Sequence, residues 1–502
     1  MRLLLLYPPV TAYKSTQIKS HPPIGLLYLA SYAKKLGHTV KFVDVLAEGR
    51  GNVKSMKDGG SRMGLGWIEV KKIIKDFKPD VVGISIMFTA YFDDALRLAK
   101  VVKAVNKKIY VVMGGSHVST DPKACVTNKD VDFAVYGEGE KTMEELLMAL
   151  EKKKPVGKIK GMAYKTKTGV AMNPPRELVK NLDDIPFPAW DMLNISKYDL
   201  GEDYQMRRPT FYITSSRGCP MHCAYCSSFA VWQHRWRGRS AQNVVDEIEL
   251  LVKSYGAKEI AFFDDSISVD RKRLVEICNE IIKRKLNIRW STPNGIAHWT
   301  LDKDLIKLMR KAGCYRITFG IESGDVETRR FVGKPFDLNQ AKELTKYANS
   351  LGMWTLATNI IGFPYETKEQ IDRTLKYAID SGVDIASFFR LGLRPGAPVY
   401  DIFEKEGWLP KDKEAIYKED MSCKTKYFSP EDLQLIQKEM FSQFYTKRWG
   451  SPLALIRLIP KIKSWEEAKY AYNQWKYVAG LRRYWTDAYL AMAGADNSNF
   501  RV

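Results

Sequence analysis

The sequence predicts an α/β protein built from two successive βα series, a doubly wound parallel sheet and then a partial barrel of six βα units, followed by a helical C-terminal part. Three observations predict it. Short apolar runs alternate with amphipathic helical patterns over about the first 150 residues. The alternation stops in a basic, Pro-rich stretch and resumes near residue 206. After about residue 405 the pattern becomes helical and aromatic-rich, and at 502 residues the chain is too long for one hydrophobic core.

The first series, residues 1–150, opens with LLLLYPP. Its short apolar run ends in Pro8-Pro9 with no small-residue cleavage site, so it reads as a strand rather than a signal peptide. IGLLYLASYAKKLG, TVKFVDV, VKKIIKDF, DVVGISIM, YFDDALRLAKVVKAV, YVVMGG, FAVYGEGE and KTMEELLMALE continue the alternation. In such sheets ligands sit beyond the carboxyl ends of the strands, here Pro8-Pro9, Asp44, Ser85 to Thr89, Gly114 to His117 and Tyr136 to Gly139. Residues 151–205, with MNPPRELVKNLDDIPFPAW, lack sustained periodicity and read as a connector. The second series, 206–404, runs through FYITSSRGC, EIAFFDDS, IRWSTPNG, YRITFGIESG, WTLATNIIGFP and DIASFFRLG, and places its chemistry at the strand C-termini. Residues 405–502 carry the helical patterns SPEDLQLIQKEMFSQFYTKRW and SWEEAKYAYNQWKYVAGLRRYW.

Charge and cysteine usage narrow the setting. With 79 Lys and Arg against 58 Asp and Glu the net charge is +21, which suits nucleic acid, anionic lipid or an acidic redox protein. The lysines are spread over most helical faces and no nucleic-acid-binding motif is present, so a nucleic-acid partner is not expected. No run of eighteen apolar residues is long enough to span a bilayer. The seven cysteines are odd in number and three of them crowd into eight positions, which is no disulfide framework and implies a reducing, cytoplasmic compartment. Cys125, Cys278, Cys314 and Cys423 read as small buried hydrophobes.

The remaining three carry the chemistry. RGCPMHCAYC sets Cys219, Cys223 and Cys226 in a CxxxCxxC spacing directly after the first strand of the second series. Three thiolates on one short loop can hold three corners of a cubic cluster, whereas structural zinc takes four ligands in paired arms, and no second arm lies nearby. With Tyr225 before the last Cys, the motif resembles the radical S-adenosylmethionine superfamily. The resemblance implies a 4Fe-4S cluster whose open iron binds S-adenosylmethionine, reductive cleavage to a 5′-deoxyadenosyl radical, and hydrogen abstraction from substrate. It implies Tyr225 and extends to Asp264 and Asp265, to Gly320, Glu322 and Ser323 in GIESG, and to Asn359, Gly362 and Phe363 in NIIGFP, as S-adenosylmethionine-binding positions. Glu322 looks like the ligand-binding carboxylate, although it could instead pair with a nearby Arg. PGAPVY resembles a PGTxxY segment that ends many such barrels, with Ala397 in place of Thr.

A flavodoxin-like, Rossmann-type domain ahead of such a barrel resembles the cobalamin-binding subfamily, through PPIGLLYLASY, VVGISIMFTA, VVMGGSHVS and YGEGEKT. The two resemblances cover about four-fifths of the chain. Cobalamin needs an apolar platform and a slot lined by small residues. The positions implied are Pro9, Ser85, Met87, Phe88, Thr89, Gly114, Gly115, Ser116, His117, Tyr136, Gly137, Glu138 and Gly139. None of the six His residues stands in an Asp-x-His-x-x-Gly motif, so no His ligand to cobalt from that motif is expected, and Met87, Phe88 or Tyr91 could cover that face. His117 reads more plainly as bonding backbone or a corrin amide than as a metal ligand. A domain that has lost the cofactor is the rival reading.

The reading these features favour is a cobalamin-dependent radical methyltransferase acting on an unactivated carbon of a small-molecule, lipid or peptide substrate. The alternatives are a cyclase, ring-contracting or other oxidoreductive enzyme with the same cofactors, and a non-catalytic cofactor-binding module. Arg390 and Arg394 are candidates to clamp an anionic substrate, with ordinary surface pairing an equal alternative. An external low-potential donor of ferredoxin or flavodoxin type is implied, since no second cluster motif is present, and the basic surface suits it. The basic aromatic stretch from Lys447 to Arg483 is expected to cap the active site, in preference to lying on an anionic membrane.

Overall fold

A computed structural model describes residues 1–12, 20–56, 59–198, 200–201, 204–334, 336–410 and 423–493. The described chain forms two compact units. The first comprises 1–198 with 227–237, and the second 200–226 with 238 onward.

In the first unit, β1 (Arg2–Tyr7), β2 (Thr39–Asp44), β3 (Val81–Ser85), β4 (Tyr110–Gly114) and β5 (Phe133–Val135) pair in parallel in the order β2-β1-β3-β4-β5. That is the flavodoxin-like order. The central strands read as apolar runs because both faces are covered, whereas the edge strand β2 is mostly half-buried. Leu4, Leu6, Val82, Ile84, Val111 and Met113 meet α3 (Phe92–Val105) and α2 (Trp67–Phe77) on one side. Leu3, Leu5, Val81 and Val112 meet α1 (Ile24–Lys35) and α4 (Gly139–Glu151) on the other. The stretch read as a connector is more than that. It contributes a hairpin, β6 (Met162–Thr166) and β7 (Gly169–Met172), that adds two antiparallel strands to β5. Its short, half-exposed edge strands leave no long apolar run for a sequence pattern to register. A small antiparallel sheet of Val10–Ala12, Ser61–Met63 and Val53–Ser55 lies beyond the main sheet.

The second unit is a six-stranded parallel sheet in sequential order, β8 (Thr210–Ile213), β9 (Glu259–Phe262), β10 (Arg289–Ile296), β11 (Cys314–Glu322), β12 (Trp354–Ile361) and β13 (Ile385–Arg390). Amphipathic helices α5 (Ala241–Tyr255), α6 (Arg271–Lys283), α7 (Lys303–Lys311), α8 (Leu338–Ser350) and α9 (Lys368–Ser381) follow the strands in turn, as the partial-barrel reading expects. Two long helices, α10 (Pro430–Trp449) and α11 (Trp465–Ala493), complete the unit. Along β13, α10 covers the strand's outer edge. Gln437 Nε2 donates to Phe388 O at 2.6 Å, Tyr445 Oη to Ala386 O at 3.1 Å and Trp449 Nε1 to Asp384 O at 2.7 Å. Side chains thus occupy acceptors that a neighbouring strand would otherwise take.

Between those helices, Pro452–Lys461 and the start of α11 cross the N-terminal end of the barrel. Lys461 Nζ reaches Asp384, just before β13, at 2.8 Å. Glu466 pairs with Arg207, ahead of β8, and Glu467 with Arg289 at the start of β10. This corrects the expectation that the basic aromatic stretch caps the active site. It closes the barrel floor instead, because Tyr470 packs edge-on against Tyr315 and Trp354 beneath the sheet.

Candidate active site

The cysteine loop, Ser215 to Cys226, follows β8 and is held from below and beside. Asp264 is buried at the end of β9, and its carboxylate accepts from Ser215 N at 2.6 Å, Ser215 Oγ at 2.5 Å and Ser216 Oγ at 2.7 Å. Arg273 Nη2 donates to Ser215 O at 2.5 Å. The structure therefore engages Asp264 in fixing the loop rather than in facing a ligand. Asp265 is exposed beside Cys219. Further along, Ala224 N donates to Val332 O and Val399 N to Ala224 O, tying the loop to the segment after β11 and to PGAPVY. Gly333 has φ +84°, and a Cβ there would stand 2.9 Å from His222 O, so glycine is required where the two segments touch.

That contact delivers the next residue, Lys334, to the thiols. Its ammonium donates to Glu322 Oε1 at 2.7 Å, a largely buried pair, and Glu322 is hydrogen-bonded to Tyr225. Glu322 sits at a register shift in β11 with φ +65°, a conformation rarely adopted by a residue with a side chain. Gly320 makes room for it, since a Cβ there would meet Glu322 Oε1 at 3.2 Å and Lys334 Nζ at 3.3 Å. The partner of Glu322 is thus a lysine and not an arginine. Burial pushes the Cys223 thiol up to about 11 and raises Cys219 as well, with Lys334 pulling both back toward the thiolate. Burial would lower Lys334 itself, but attraction to Glu322 and Cys223 outweighs it and leaves its pKa raised.

Of the remaining positions, Ser323 bonds Thr374 of α9 at 2.9 Å, and Gly324 packs so tightly on α9 that a Cβ would stand 2.5 Å from Arg373 O. These two fix the strand end. Asn359 is in register with Glu322; its Nδ2 reaches Ser387 O at 3.2 Å while its buried Oδ1 has no hydrogen-bond partner among the described residues. Phe363 is buried 6.3 Å from the Tyr225 ring and 6.0 Å from Phe331, behind the cysteines. The turn that carries it is held by Glu366, which accepts from Gly362 N at 2.8 Å and Phe363 N at 3.3 Å, and which burial pushes up to about 8. Arg390 Nε donates to Gln437 Oε1 at 3.1 Å, and burial lowers the Arg394 guanidinium. Lys334 and Glu366 escape a reading of the sequence. The available signal was the Gly-Lys pair closing the helical stretch after GIESG, and the carboxylate that follows NIIGFPY.

The donor set fits the expected cluster. Three thiols share one loop beside a largely buried cation, and a cubic cluster takes three thiolates from one such loop. For the sulfonium cofactor, the unpartnered Asn359 Oδ1 is an acceptor awaiting a donor.

In the first unit the strand ends sort differently. Met87 and Phe88, 44% and 48% exposed, offer an apolar surface after β3. Gly115, φ +108°, lies so close to Ile86 that a Cβ would stand 2.6 Å from its carbonyl oxygen, while an added Cβ at Gly137 meets nothing within 4 Å. Pro9 and Thr89 are buried, Ser85 pairs with Gly114, and Ser116 is exposed. Apolar surface beside small-residue strand ends fits the corrin and tail that cobalamin presents. His117 departs from the expectation. It is 2% exposed, with its ring 4.6 Å from that of Phe92, so it packs into the core. Tyr91 likewise turns onto Tyr7. Tyr136 bonds the carbonyl of Asn173, and Gly137 N donates to Ser119 Oγ at 3.0 Å. Glu138 is buried, accepting from Val179 N at 2.7 Å and Arg237 Nη1 at 2.9 Å, which makes it a structural anchor, and Gly139 packs against Leu29.

Comparison with known proteins matches the B12 binding domain family over residues 18–147 and the radical SAM superfamily over 213–378. An uncharacterized methyltransferase of Pyrococcus horikoshii is 34% identical over 89% of this chain and 93% of its own length. The cytidylyl-2-hydroxyethylphosphonate methyltransferase of Streptomyces wedmorensis is 32% identical over 83% and 84%. An anaerobic magnesium-protoporphyrin IX monomethyl ester cyclase of Rubrivivax gelatinosus is 30% identical over 81% and 70%. In fold, the radical S-adenosylmethionine methyltransferase TsrM of Kitasatospora setae, solved with cobalamin and a [4Fe-4S] cluster bound, superposes with a TM-score of 0.70 at 17% identity, covering 97% of this chain and 99% of its own.

Proposed function

The chain belongs to the radical S-adenosylmethionine superfamily, in the branch that carries a B12 binding domain ahead of the radical domain, and from that membership we propose that it transfers a methyl group to an unactivated carbon of a small molecule. The observation that carries the reading is its likeness, over most of both chains and above 30% identity, to two proteins named as methyltransferases. When bound, the cluster supplies the electron that splits the sulfonium, and cobalamin supplies a methyl carrier.

The chain's own residues do the rest. Cys219, Cys223 and Cys226 would hold three iron corners, and Lys334 offsets the negative charge that three thiolates would bring into the loop. Asp264 fixes the loop through Ser215 and Ser216. Glu322 would accept from the sulfonium cofactor's ammonium or ribose, Asn359 Oδ1 would take a further donor, and Phe363 with Tyr225 forms an apolar wall. Met87 and Phe88 would offer the corrin apolar contact, and the glycines at the strand ends, Gly114, Gly115 and Gly137, would bring small residues to its tail. Arg390 and Arg394 face an anionic substrate group. The electron comes from an external ferredoxin- or flavodoxin-type protein drawn to the basic surface.

Anaerobic reconstitution with S-adenosylmethionine and a strong reductant tests the reading. Methyl transfer produces S-adenosylhomocysteine in step with 5′-deoxyadenosine. The cyclase relative favours a second reading, radical chemistry without methyl transfer; 5′-deoxyadenosine with no S-adenosylhomocysteine would select it.

A further inference from the structure

Pro452–Lys461 forms a 3₁₀ helix, in which side chains three apart stand in line. Leu453, Ile456 and Ile459 fall on one such line, and Ile462 and Trp465 continue the spacing. These five are 71%, 58%, 68%, 43% and 85% exposed. The opposite side is clamped to the barrel floor. Ala454, Leu458 and Lys461 are buried, and Lys461 Nζ donates to Asn349 Oδ1 at 3.0 Å and Asp384 Oδ2 at 2.8 Å. The carbonyl oxygen of Pro460 lies only 2.3 Å from where a Cβ on Gly352 would stand, so the segment rests directly on the turn before β12. A segment serving only to close the floor would turn its aliphatic line inward. Here a buried lysine takes the inward position and the aliphatic line faces out.

The surroundings are cationic. Between Lys447 and Arg483 there are nine Lys and Arg against two carboxylates, Glu466 and Glu467; both carboxylates pair with barrel arginines, and of the nine cations Lys461 and Arg448 pair with Asp384. Arg457, Lys463, Lys476 and Arg483 are exposed, as are Tyr472, Trp475 and Tyr484, aromatic types that favour a boundary between apolar and wet surroundings. A second copy of the chain would bring the same excess of positive charge to the same patch, so self-association opposes like charges.

We propose that the line from Leu453 to Trp465, with its basic flanks, is a docking surface for an anionic phospholipid bilayer. The aliphatic side chains enter the boundary between headgroups and acyl chains, and the cations meet the phosphates. The surface lies at the end of the barrel opposite the cysteine loop and stands independently of the reaction proposed above.

Flotation of the full anaerobic protein with vesicles tests this. The protein floats with vesicles of phosphatidylglycerol mixed with phosphatidylcholine, and roughly tenfold less floats with phosphatidylcholine alone or in high salt. Ile456→Asp with Ile459→Asp reduces flotation by about tenfold or more while iron content and S-adenosylmethionine cleavage stay at the wild-type level. No flotation with the anionic vesicles overturns the proposal, as does flotation that the double substitution leaves unchanged. A dimer in sedimentation equilibrium that the double substitution dissociates overturns it too, by assigning the line to a second copy.

Discussion

At the residue scale, two groups missed in the sequence organise the candidate site, and each makes a prediction. Lys334 is the buried counter-charge of Glu322, so Lys334→Met leaves a carboxylate buried without its cation. Removing one partner of such a pair costs about 3–5 kcal/mol. Urea denaturation should show a loss of that size, whereas Glu322→Gln with Lys334→Met recovers much of it. Glu366, in the turn of Gly362 and Phe363, is raised from 4.5 to about 8 by burial, which outweighs the two amides it accepts from. A carboxyl with a folded pKa above its unfolded value holds its proton on folding, so its contribution is fullest below about pH 4.5 and is lost as the pH climbs to about 8. Thermal melts should therefore show stability falling with pH across that window, and Glu366→Gln should flatten the slope.

At the element scale, all six barrel strands and the five parallel strands of the first sheet were legible. Most are short runs rich in apolar and β-branched residues, as in Val81–Ser85 or Trp354–Ile361, each followed by an amphipathic stretch. The hairpin Met162–Met172 was not, because its half-exposed strands have too little apolar periodicity. Nor could the sequence say which end of the barrel the C-terminal helices cover. That depends on pairs distant in sequence, such as Lys461 with Asp384 and Glu466 with Arg207. The hydrogen bonds from α10 to the edge of β13 can be tested singly. Tyr445→Phe and Trp449→Phe each leave a buried carbonyl without its donor and should each cost about 1–3 kcal/mol in chemical denaturation, with iron binding retained.

At the scale of the whole molecule, the site divides into what a motif can announce and what only folding assembles. CxxxCxxC announces three thiols by spacing alone, and GIESG and NIIGFP mark strand ends. The engagement of Asp264 by Ser215 and Ser216, the inward turn of His117 and the anchoring role of Glu138 come from packing, where neighbouring residues of one motif face opposite ways. Among the described residues no helix is long and apolar enough to cross a membrane. The account rests on the three thiols gripping a cluster that cleaves S-adenosylmethionine. Its most direct test is electron paramagnetic resonance of the anaerobically reduced protein, with 5′-deoxyadenosine measured in the same sample. The wild type should show a reduced 4Fe-4S signal that shifts when S-adenosylmethionine is added, and the Cys219→Ala, Cys223→Ala, Cys226→Ala protein should lose both signal and product; a triple variant that keeps its iron and makes 5′-deoxyadenosine at the wild-type rate would contradict the account.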